Sequence, residues 1–320
     1  MTGLTSTSRA DGNAGRLRIG LIANGILVGV IGAGVYRYPA TLIAFCLAFA
    51  FFRLVENVSP AHRLAVLRQS WSTDAIYFFA GPVLFGGVPA ALLRALATLP
   101  HQGHLLPLAQ LLPKTPAVQF GVAFLLGEVC YYWMHRLAHT VPFLWHFHSV
   151  HHSITSMDWI AGVRFHPVDE TSLRLSLLVP FTLAGFSPAM FAPYAVLVFL
   201  INLLNHANVT LPVGPLRYII ATPGFHHWHH DLDGPPRNFS GLLPCLDGFF
   251  GTLIFSREMP RRYGIRSYVP GGFAEQMWYP FSGLLHHLCV RPLLYLRSVA
   301  RKARGLATPT PENRFPLQDL

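Results

Sequence analysis

Long apolar stretches alternate with short polar ones along most of the chain. The apolar stretches lie near Ile19–Val35, Thr41–Phe52, Ala75–Leu99 and Val118–Met134, and a fifth, Leu173–Leu204, is broken at Gly185-Phe186-Ser187-Pro188. A helix needs about 20 apolar residues to cross a bilayer. The pattern therefore predicts four single spans and a final pair, which could also be re-entrant. Thr41–Phe52 is short for a crossing and would need Tyr38 and Arg53 at the interfaces.

The composition favours the same class of protein. Hydrophobic residues make up 52% of the 320-residue chain and charged residues 12%, and the mean hydropathy is +0.40. A soluble domain of this length usually carries more charge. We therefore predict an all-α integral membrane protein built from transmembrane helical hairpins.

Arginine residues orient the predicted spans. Three precede the first span, three follow the second, and one lies between these spans: Arg9, Arg16 and Arg18, then Arg53, Arg63 and Arg68, with Arg37 between. Because positive charge marks the cytoplasmic side, both ends of this hairpin are expected in the cytoplasm. Counting the later crossings places the loops after Met134 and Leu204 there too.

The distribution of polar and apolar residues predicts five regions along the chain. Residues 1–18 are polar and expected to be disordered, residues 19–117 form an N-terminal membrane region, and residues 118–264 form the catalytic domain argued below. Residues 265–304 are an expected interfacial segment around a helix at Pro280–Leu296, and residues 305–320 an expected disordered tail. The small residues Gly32-Ala33-Gly34 leave a cleaved signal peptide as an alternative for the first span. The basic residues expected to face anionic headgroups are Arg297, Arg301, Lys302 and Arg304.

Histidine residues cluster at the polar ends of the later apolar stretches. Twelve of the 17 histidines lie between His135 and His230. Residues three and four apart share one face of a helix, so spaced groups aim several imidazoles in one direction. The groups are His135 and His139 in H-R-L-A-H, His148, His151 and His152 in H-S-V-H-H, and His226, His227, His229 and His230 in H-H-W-H-H.

Imidazoles in this number indicate a metal site. Imidazole is a neutral ligand for zinc, iron, copper or nickel, and one ion accepts at most about six ligands. If the groups converge, they predict a site for two metal ions, carried by a cytoplasmic helical cap. Single histidines are expected instead to cap helix ends or lie at the membrane interface: His62, His101, His104 and His146.

The histidine motifs and the residues around them resemble the fatty acid hydroxylase superfamily, over roughly residues 118–264. The resemblance implies an integral-membrane non-haem di-iron oxidoreductase that acts on a lipid with O2, as sterol desaturases, sphingolipid fatty acid hydroxylases and alkylglycerol monooxygenase do. The matching segments are H-R-L-A-H-T-V-P-F-L-W-H-F-H-S-V-H-H-S from His135, R-F-H-P-V-D from Arg164, N-H-A-N from Asn205, T-P-G-F-H-H-W-H-H from Thr222, R-N-F-S-G from Arg237 and L-D-G-F-F-G-T from Leu246.

Eight histidines are the predicted catalytic metal ligands: His135, His139, His148, His151, His152, His226, His229 and His230. His206, in N-L-L-N-H-A-N, is predicted as a ninth. Some members of the superfamily carry a second histidine four residues from the equivalent of His206, where this chain has Asn202 and Thr210. A tenth ligand is left open between His166 and His227.

Acidic residues near the motifs could orient the imidazole rings. Glu128 lies two turns before His135 on the same helical face and is expected to contact a histidine or line a polar cavity. Four others could accept hydrogen bonds from imidazole N–H groups, or could be solvated loop carboxylates. They are Asp169, Glu170, Asp231 and Asp233.

The predicted cofactors are two iron ions, with O2 as co-substrate. An unactivated C–H bond is not acidic, so its oxidation requires an oxidant made from O2 at a redox metal. Imidazole-rich sites suit iron, whereas zinc has no redox chemistry. The identity of the lipid and the choice between hydroxylation and desaturation stay open. The alternatives are a zinc-dependent membrane hydrolase and a non-catalytic metal-binding or transport protein.

Electrons are expected from a partner protein, a ferredoxin or a cytochrome b5-type donor with its reductase. No flavin, haem or iron–sulfur motif occurs in the sequence, and Cys46, Cys130, Cys245 and Cys289 lie singly. The net charge of +10 is accounted for by cytoplasmic loops and headgroup contacts, and no nucleic-acid-binding module is visible. Basic residues of the cap could meet an acidic donor: Arg237, Arg261 and Arg262.

Overall fold

A computed structural model describes residues 39–63, 68–85 and 108–285, with isolated positions 29, 32, 36, 87, 91 and 95. This part of the chain is helical and contains no β-strand, which confirms the all-α prediction for these residues. Its α-helices are α1 (Pro39–Val58), α2 (Trp71–Phe85), α3 (Leu108–Leu111), α4 (Pro116–Thr140), α5 (Pro142–His152), α6 (Pro167–Leu183), α7 (Pro188–His206), α8 (Pro223–His229), α9 (Pro244–Phe250) and α10 (Phe273–Leu285). Two short 3-10 helices span Trp159–Val163 and Gly214–Tyr218.

Helix α4 contains the predicted span Val118–Met134 and continues through the first histidine motif. Among the described residues it is the one helix long and apolar enough to cross a membrane by length and composition, and 28% of its most apolar window is buried. The predicted break in the next apolar stretch is confirmed, since α6 ends at Leu183 and α7 begins at Pro188. Gly185 adopts a positive φ of 78° in this turn, which glycine allows without strain.

One predicted helix boundary is wrong. The C-terminal helix begins at Phe273 instead of Pro280, and Pro280 lies inside it. The start is fixed by packing, because Gln276 in the first turn accepts a hydrogen bond from the hydroxyl of Tyr77 on α2 (2.9 Å). Helix α1 continues beyond Phe52 to Val58, where Glu56 accepts backbone N–H groups of Trp159 and Asn208 (both 3.0 Å).

Several expectations fall outside the described residues. They include the first apolar stretch apart from positions 29 and 32, the part of the third beyond residue 85 apart from three single positions, the segment from residue 286 onward, and both predicted disordered ends.

A buried contact joins α4 and α7 at a distance from their histidine-bearing ends. Tyr194 on α7 is fully buried, and its hydroxyl donates to the Glu128 carboxylate on α4 (2.8 Å), which also accepts the backbone N–H of Leu242 (2.9 Å). Glu128 thus joins two helices and a loop, and neither of these contacts is to a histidine. On the other side, Trp159 stacks on Phe52 of α1 with ring centroids 5.5 Å apart.

Candidate metal centre

Nine histidines converge in two adjoining groups of the kind that could hold a metal ion. Within each group, one ligand atom per residue lies within 4.8 Å of all the others. We call them the five-histidine group (His135, His139, His148, His152 and His229) and the four-histidine group (His151, His206, His226 and His230). All nine residues are buried.

Each sequence motif on α5 and α8 contributes to both groups. On α5, His148 and His152 are four residues apart and lie in the five-histidine group, whereas His151 lies in the four-histidine group. On α8, which begins at Pro223, His229 belongs to the five-histidine group. The two groups are consequently interleaved, and α4 and α7 complete one group each.

The groups are in direct contact with each other. The rings of His152 and His230, one from each group, stack with centroids 4.2 Å apart and planes 20° apart. His226 and His229 stack similarly at 5.2 Å and 26°. Metal ions held in the two groups would therefore be neighbours in one centre.

In the five-histidine group, the outer nitrogens donate to oxygens that can only accept. His135 Nδ1 donates to the carbonyl of Phe239 (2.7 Å), and His229 Nδ1 donates to the carbonyl of Arg237 (2.6 Å). His148 Nδ1 donates to the Asp169 carboxylate (2.9 Å). A proton held on Nδ1 leaves the Nε2 lone pair of each neutral ring free to bind a metal ion.

Two residues of the four-histidine group show the same arrangement. His151 Nδ1 donates to the carbonyl of Arg164 (3.1 Å), and His206 Nδ1 donates to the carbonyl of Asn202 (2.8 Å). The inner Nε2 atoms of these two histidines lie 3.3 Å apart. Because each neutral ring then presents a lone pair, no hydrogen bond joins them, and a cation between them would relieve their repulsion.

Burial keeps these rings in the neutral form that a metal requires. Desolvation, with repulsion from neighbouring imidazoles, lowers the pKa of His151, His152, His226 and His230 well below the usual value. Desolvation likewise lowers the pKa of His229 to about 3. Among the nine histidines of the two groups, three buried ring nitrogens make no hydrogen bond: Nε2 of His152 and Nδ1 of His226 and His230. An unpartnered Nε2 on a buried neutral ring, as in His152, fits metal ligation and is costly otherwise.

Sequence reasoning missed the loop that supplies two of the backbone acceptors. Asn238 adopts a left-handed conformation (φ 54°), and the carbonyls on either side of it, of Arg237 and Phe239, receive His229 and His135. The Asn238 amide donates to Phe225 O (2.8 Å), and Asp247 accepts the N–H of Phe239 (2.7 Å). The segments R-N-F-S-G and L-D-G-F-F-G-T marked this loop in the sequence. They could not show that backbone carbonyls accept the hydrogen bonds, because every residue has a carbonyl.

His166 and His227 lie outside both groups. His166 caps α6, where Nδ1 accepts the N–H of Val168 (3.1 Å) and Nε2 approaches the carbonyl of Met277 (3.3 Å). The Tyr263 hydroxyl lies between His227 Nδ1 (2.8 Å) and His62 Nε2 (2.9 Å). Neither candidate for a tenth ligand is placed with the other nine.

Of the four carboxylates considered near the motifs, Asp169 contacts an imidazole. The other three pair with arginines: Glu170 with Arg174, Asp231 with Arg237, and Asp233 with Arg262. Asp169 and Glu170 both lie in the first turn of α6, but Asp169 is buried beside His148, whereas Glu170 faces Arg174.

A cavity of about 610 Å³ adjoins the histidines. Its wall includes Phe165, whose ring stacks on His151 at 4.1 Å, and Tyr131, whose ring lies edge-on to His135 at 5.5 Å. Helices α1, α2, α4, α6 and α7 supply most of the lining, which is predominantly apolar. The size is that of a small-molecule site.

Comparison with known proteins agrees with the motifs. Residues 120–252 match the family model described as fatty acid hydroxylase. An ornithine lipid hydroxylase of Rhizobium tropici is 35% identical over 170 residues, 52% of this chain and 51% of that protein. An alkylglycerol monooxygenase of Danio rerio is 31% identical over 182 residues, 53% of this chain and 39% of that protein. A very-long-chain aldehyde decarbonylase of Arabidopsis thaliana is 29% identical over 171 residues, 48% of this chain and 27% of that protein.

The chain thus spans about half or less of the length of these relatives. No solved structure matches it. The resemblance stated from the motifs is confirmed.

Proposed function

Because the chain belongs to the fatty acid hydroxylase superfamily through residues 120–252, we propose that it is a membrane-bound, non-haem di-iron oxidoreductase. It hydroxylates or desaturates a lipid with O2 and electrons from a partner. The observation that carries this proposal is the pair of adjoining histidine groups, whose buried neutral rings present lone pairs inward.

The nine histidines of the two groups would hold the iron. Iron bound there would supply the redox chemistry for O2 that zinc lacks. A zinc hydrolase needs three protein ligands and an open position, so nine imidazoles in two contacting groups favour the redox enzyme.

The other residues bind, orient and exclude water. Asp169 and the carbonyls of Arg164 and Phe239 fix three imidazole rings through Nδ1. Phe165 and Tyr131 separate those rings from the cavity, whose apolar lining would hold a hydrocarbon chain and exclude water.

The side of the membrane follows from the arginine distribution. We propose that the chain crosses several times and that both histidine groups face the cytoplasm, where soluble electron donors are available. Reporter fusions after Met134 and after Leu204 should both give a cytoplasmic signal. An external signal at either position would reverse this topology.

A ferredoxin or cytochrome b5-type donor is proposed to dock on exposed arginines beyond the third histidine motif. Arg262 is 64% exposed and Arg266 62% exposed, beside the exposed Arg261. Arg237 was expected on this surface, but its side chain is only 12% exposed and lies over the Trp228 ring. Reversing the charge of Arg261 and Arg266 should slow donor-driven turnover more at low salt than at high salt. Equal slowing at both salt concentrations would count against this surface.

An isotope experiment tests the proposed reaction. Iron-loaded enzyme with a reducing partner and ¹⁸O-labelled O2 should yield lipid that has gained one labelled oxygen atom or lost two hydrogen atoms. The same protein loaded with zinc should do neither. Lipid cleavage by the zinc form without O2 would favour the hydrolase instead.

A further inference from the structure

The cavity has a polar end and an apolar end, and the polar end lies beside the histidines. We infer that it binds a lipid with one hydrocarbon chain running away from the histidines and a polar headgroup at Glu170 and Arg174. The carbon that is oxidised then lies in the part of the chain next to the headgroup. This inference rests on the proposed function.

Three lining residues mark the end of the cavity next to the histidines. Phe165 stacks on His151, and Tyr131 packs against His135, so a single aromatic ring lies between the cavity and each histidine group. Asn202 lines the same end, and its backbone carbonyl accepts the Nδ1 proton of His206.

Charged side chains enter the cavity at this end. Glu170 follows Asp169, the acceptor of His148, and pairs with Arg174 one turn later. With a rise of about 1.5 Å per residue, Arg174 lies about 7.5 Å along the α6 axis from Asp169. Glu170 and Arg174 side chains are 32% and 49% exposed, so they can meet a headgroup that stays in contact with water.

The opposite end of the cavity is apolar. On α7, the lining residues Phe191, Ala195 and Val198 precede Asn202. Phe191 is eleven positions before Asn202, which corresponds to about 16 Å along the helix axis. This length can take an extended hydrocarbon chain.

The reverse orientation is disfavoured by solvation. A polar headgroup among Phe191, Ala195 and Val198 would lose its hydrogen bonds to water without gaining a partner, which is unfavourable for an amide or hydroxyl. An acceptor group of the headgroup beside Arg174 keeps charge-assisted hydrogen bonds. The chain carbons closest to the headgroup then lie nearest Phe165 and Tyr131.

Photo-cross-linking tests this orientation without turnover or metal. Two single-chain phospholipids are used, one with a diazirine near the terminal methyl and one with a diazirine next to the ester. The terminal probe should label peptides from Phe191–Val198, and the ester-proximal probe should label peptides from Pro167–Leu177. The reverse pattern, or equal labelling by both probes, would overturn the inference even if the enzyme oxidises lipid.

A matched pair of variants tests chain placement by a second route. Ala195→Phe fills the apolar end and should reduce labelling by the terminal probe at least tenfold for a long chain while sparing a short one. Leu200→Phe adds the same ring on α7 at a 53% exposed position outside the cavity and should leave labelling unchanged. Unchanged labelling in Ala195→Phe, with helicity preserved by circular dichroism, would place the chain elsewhere. If the orientation holds but the lipid neither gains labelled oxygen nor loses two hydrogen atoms, the proposed function fails and the binding inference stands.

Discussion

At the scale of single residues, the direction in which each imidazole presents its lone pair depends on the acceptor at Nδ1. His148 is held by the Asp169 carboxylate, whereas His135 and His229 are held by backbone carbonyls. Mutation can remove the side chain of Asp169 but not a backbone carbonyl. Substitution of Asp169 is therefore the most direct test of what orients an imidazole ring.

Replacing Asp169 should weaken iron binding. Asp169→Ala removes the acceptor of the His148 Nδ1 proton, and loss of such a partner typically costs 10- to 100-fold in metal affinity. Asp169→Asn retains an acceptor oxygen and should cost less. Iron affinity is measured by competition with a chelator, with Asp233→Asn as an exposed control. Equal affinity in wild type and Asp169→Ala would show that the contact does not orient the ligand.

The individual ligands were predictable because their spacing is local, and His206 was predictable from its motif. The division into two groups was not. In H-S-V-H-H, His151 and His152 are adjacent in sequence but face different groups, which depends on where α7 and α8 pack. The carbonyl of Arg164 could not be identified either, because any residue has one.

At the scale of elements, a buried ion-pair cluster holds the 3-10 helix Trp159–Val163 against α2. Asp74 on α2 pairs with Arg164 Nε (2.5 Å) and Arg68 (2.6 Å), and Arg68 also pairs with Asp158, the cap of that 3-10 helix. This helix borders the four-histidine group closely, since a Cβ at Gly162 would lie 3.1 Å from His206 Nδ1.

Breaking this cluster should reduce both stability and iron binding. Asp74→Ala leaves two buried arginines without their shared partner, and such losses cost about 3–5 kcal/mol. The displaced Arg164 carbonyl should also loosen His151 and lower iron content. The control is Asp233→Asn in an exposed pair, worth about 0–1 kcal/mol. The free energy of unfolding in detergent and iron per chain are measured; similar values for both variants would refute the role of the cluster.

Helix termini were the less predictable part of the elements. The break before Pro188 was predicted correctly because glycine and proline mark it in the sequence. The start of α10 could not be predicted from local sequence, because it depends on the contact of Gln276 with Tyr77, about 200 positions away.

At the scale of the whole molecule, the centre concentrates buried neutral imidazoles. In the metal-free protein burial lowers their pKa values, to about 3 for His229, and it also lowers the pKa of the neighbouring His227 to about 3, from about 6.5 in the unfolded chain. The unfolded chain therefore binds more protons between these values, and the metal-free fold is most stable above about pH 6.5 and loses stability as the pH falls toward 3. Denaturant unfolding of metal-free protein at about pH 8 and pH 5 should show a lower midpoint at pH 5. Equal midpoints would contradict the buried neutral state.

The central claim is a two-iron centre built from the two histidine groups, and metal analysis of purified protein tests it most directly. Iron-loaded wild type should contain about two iron ions per chain, because nine ligands exceed what one ion accepts. His229→Ala and His151→Ala, one from each group, should bind less iron and lose turnover while remaining in the membrane. His62→Ala, whose ring contacts Tyr263 outside both groups, should keep its iron. About one ion per wild-type chain, unchanged in His229→Ala and His151→Ala, would contradict the account.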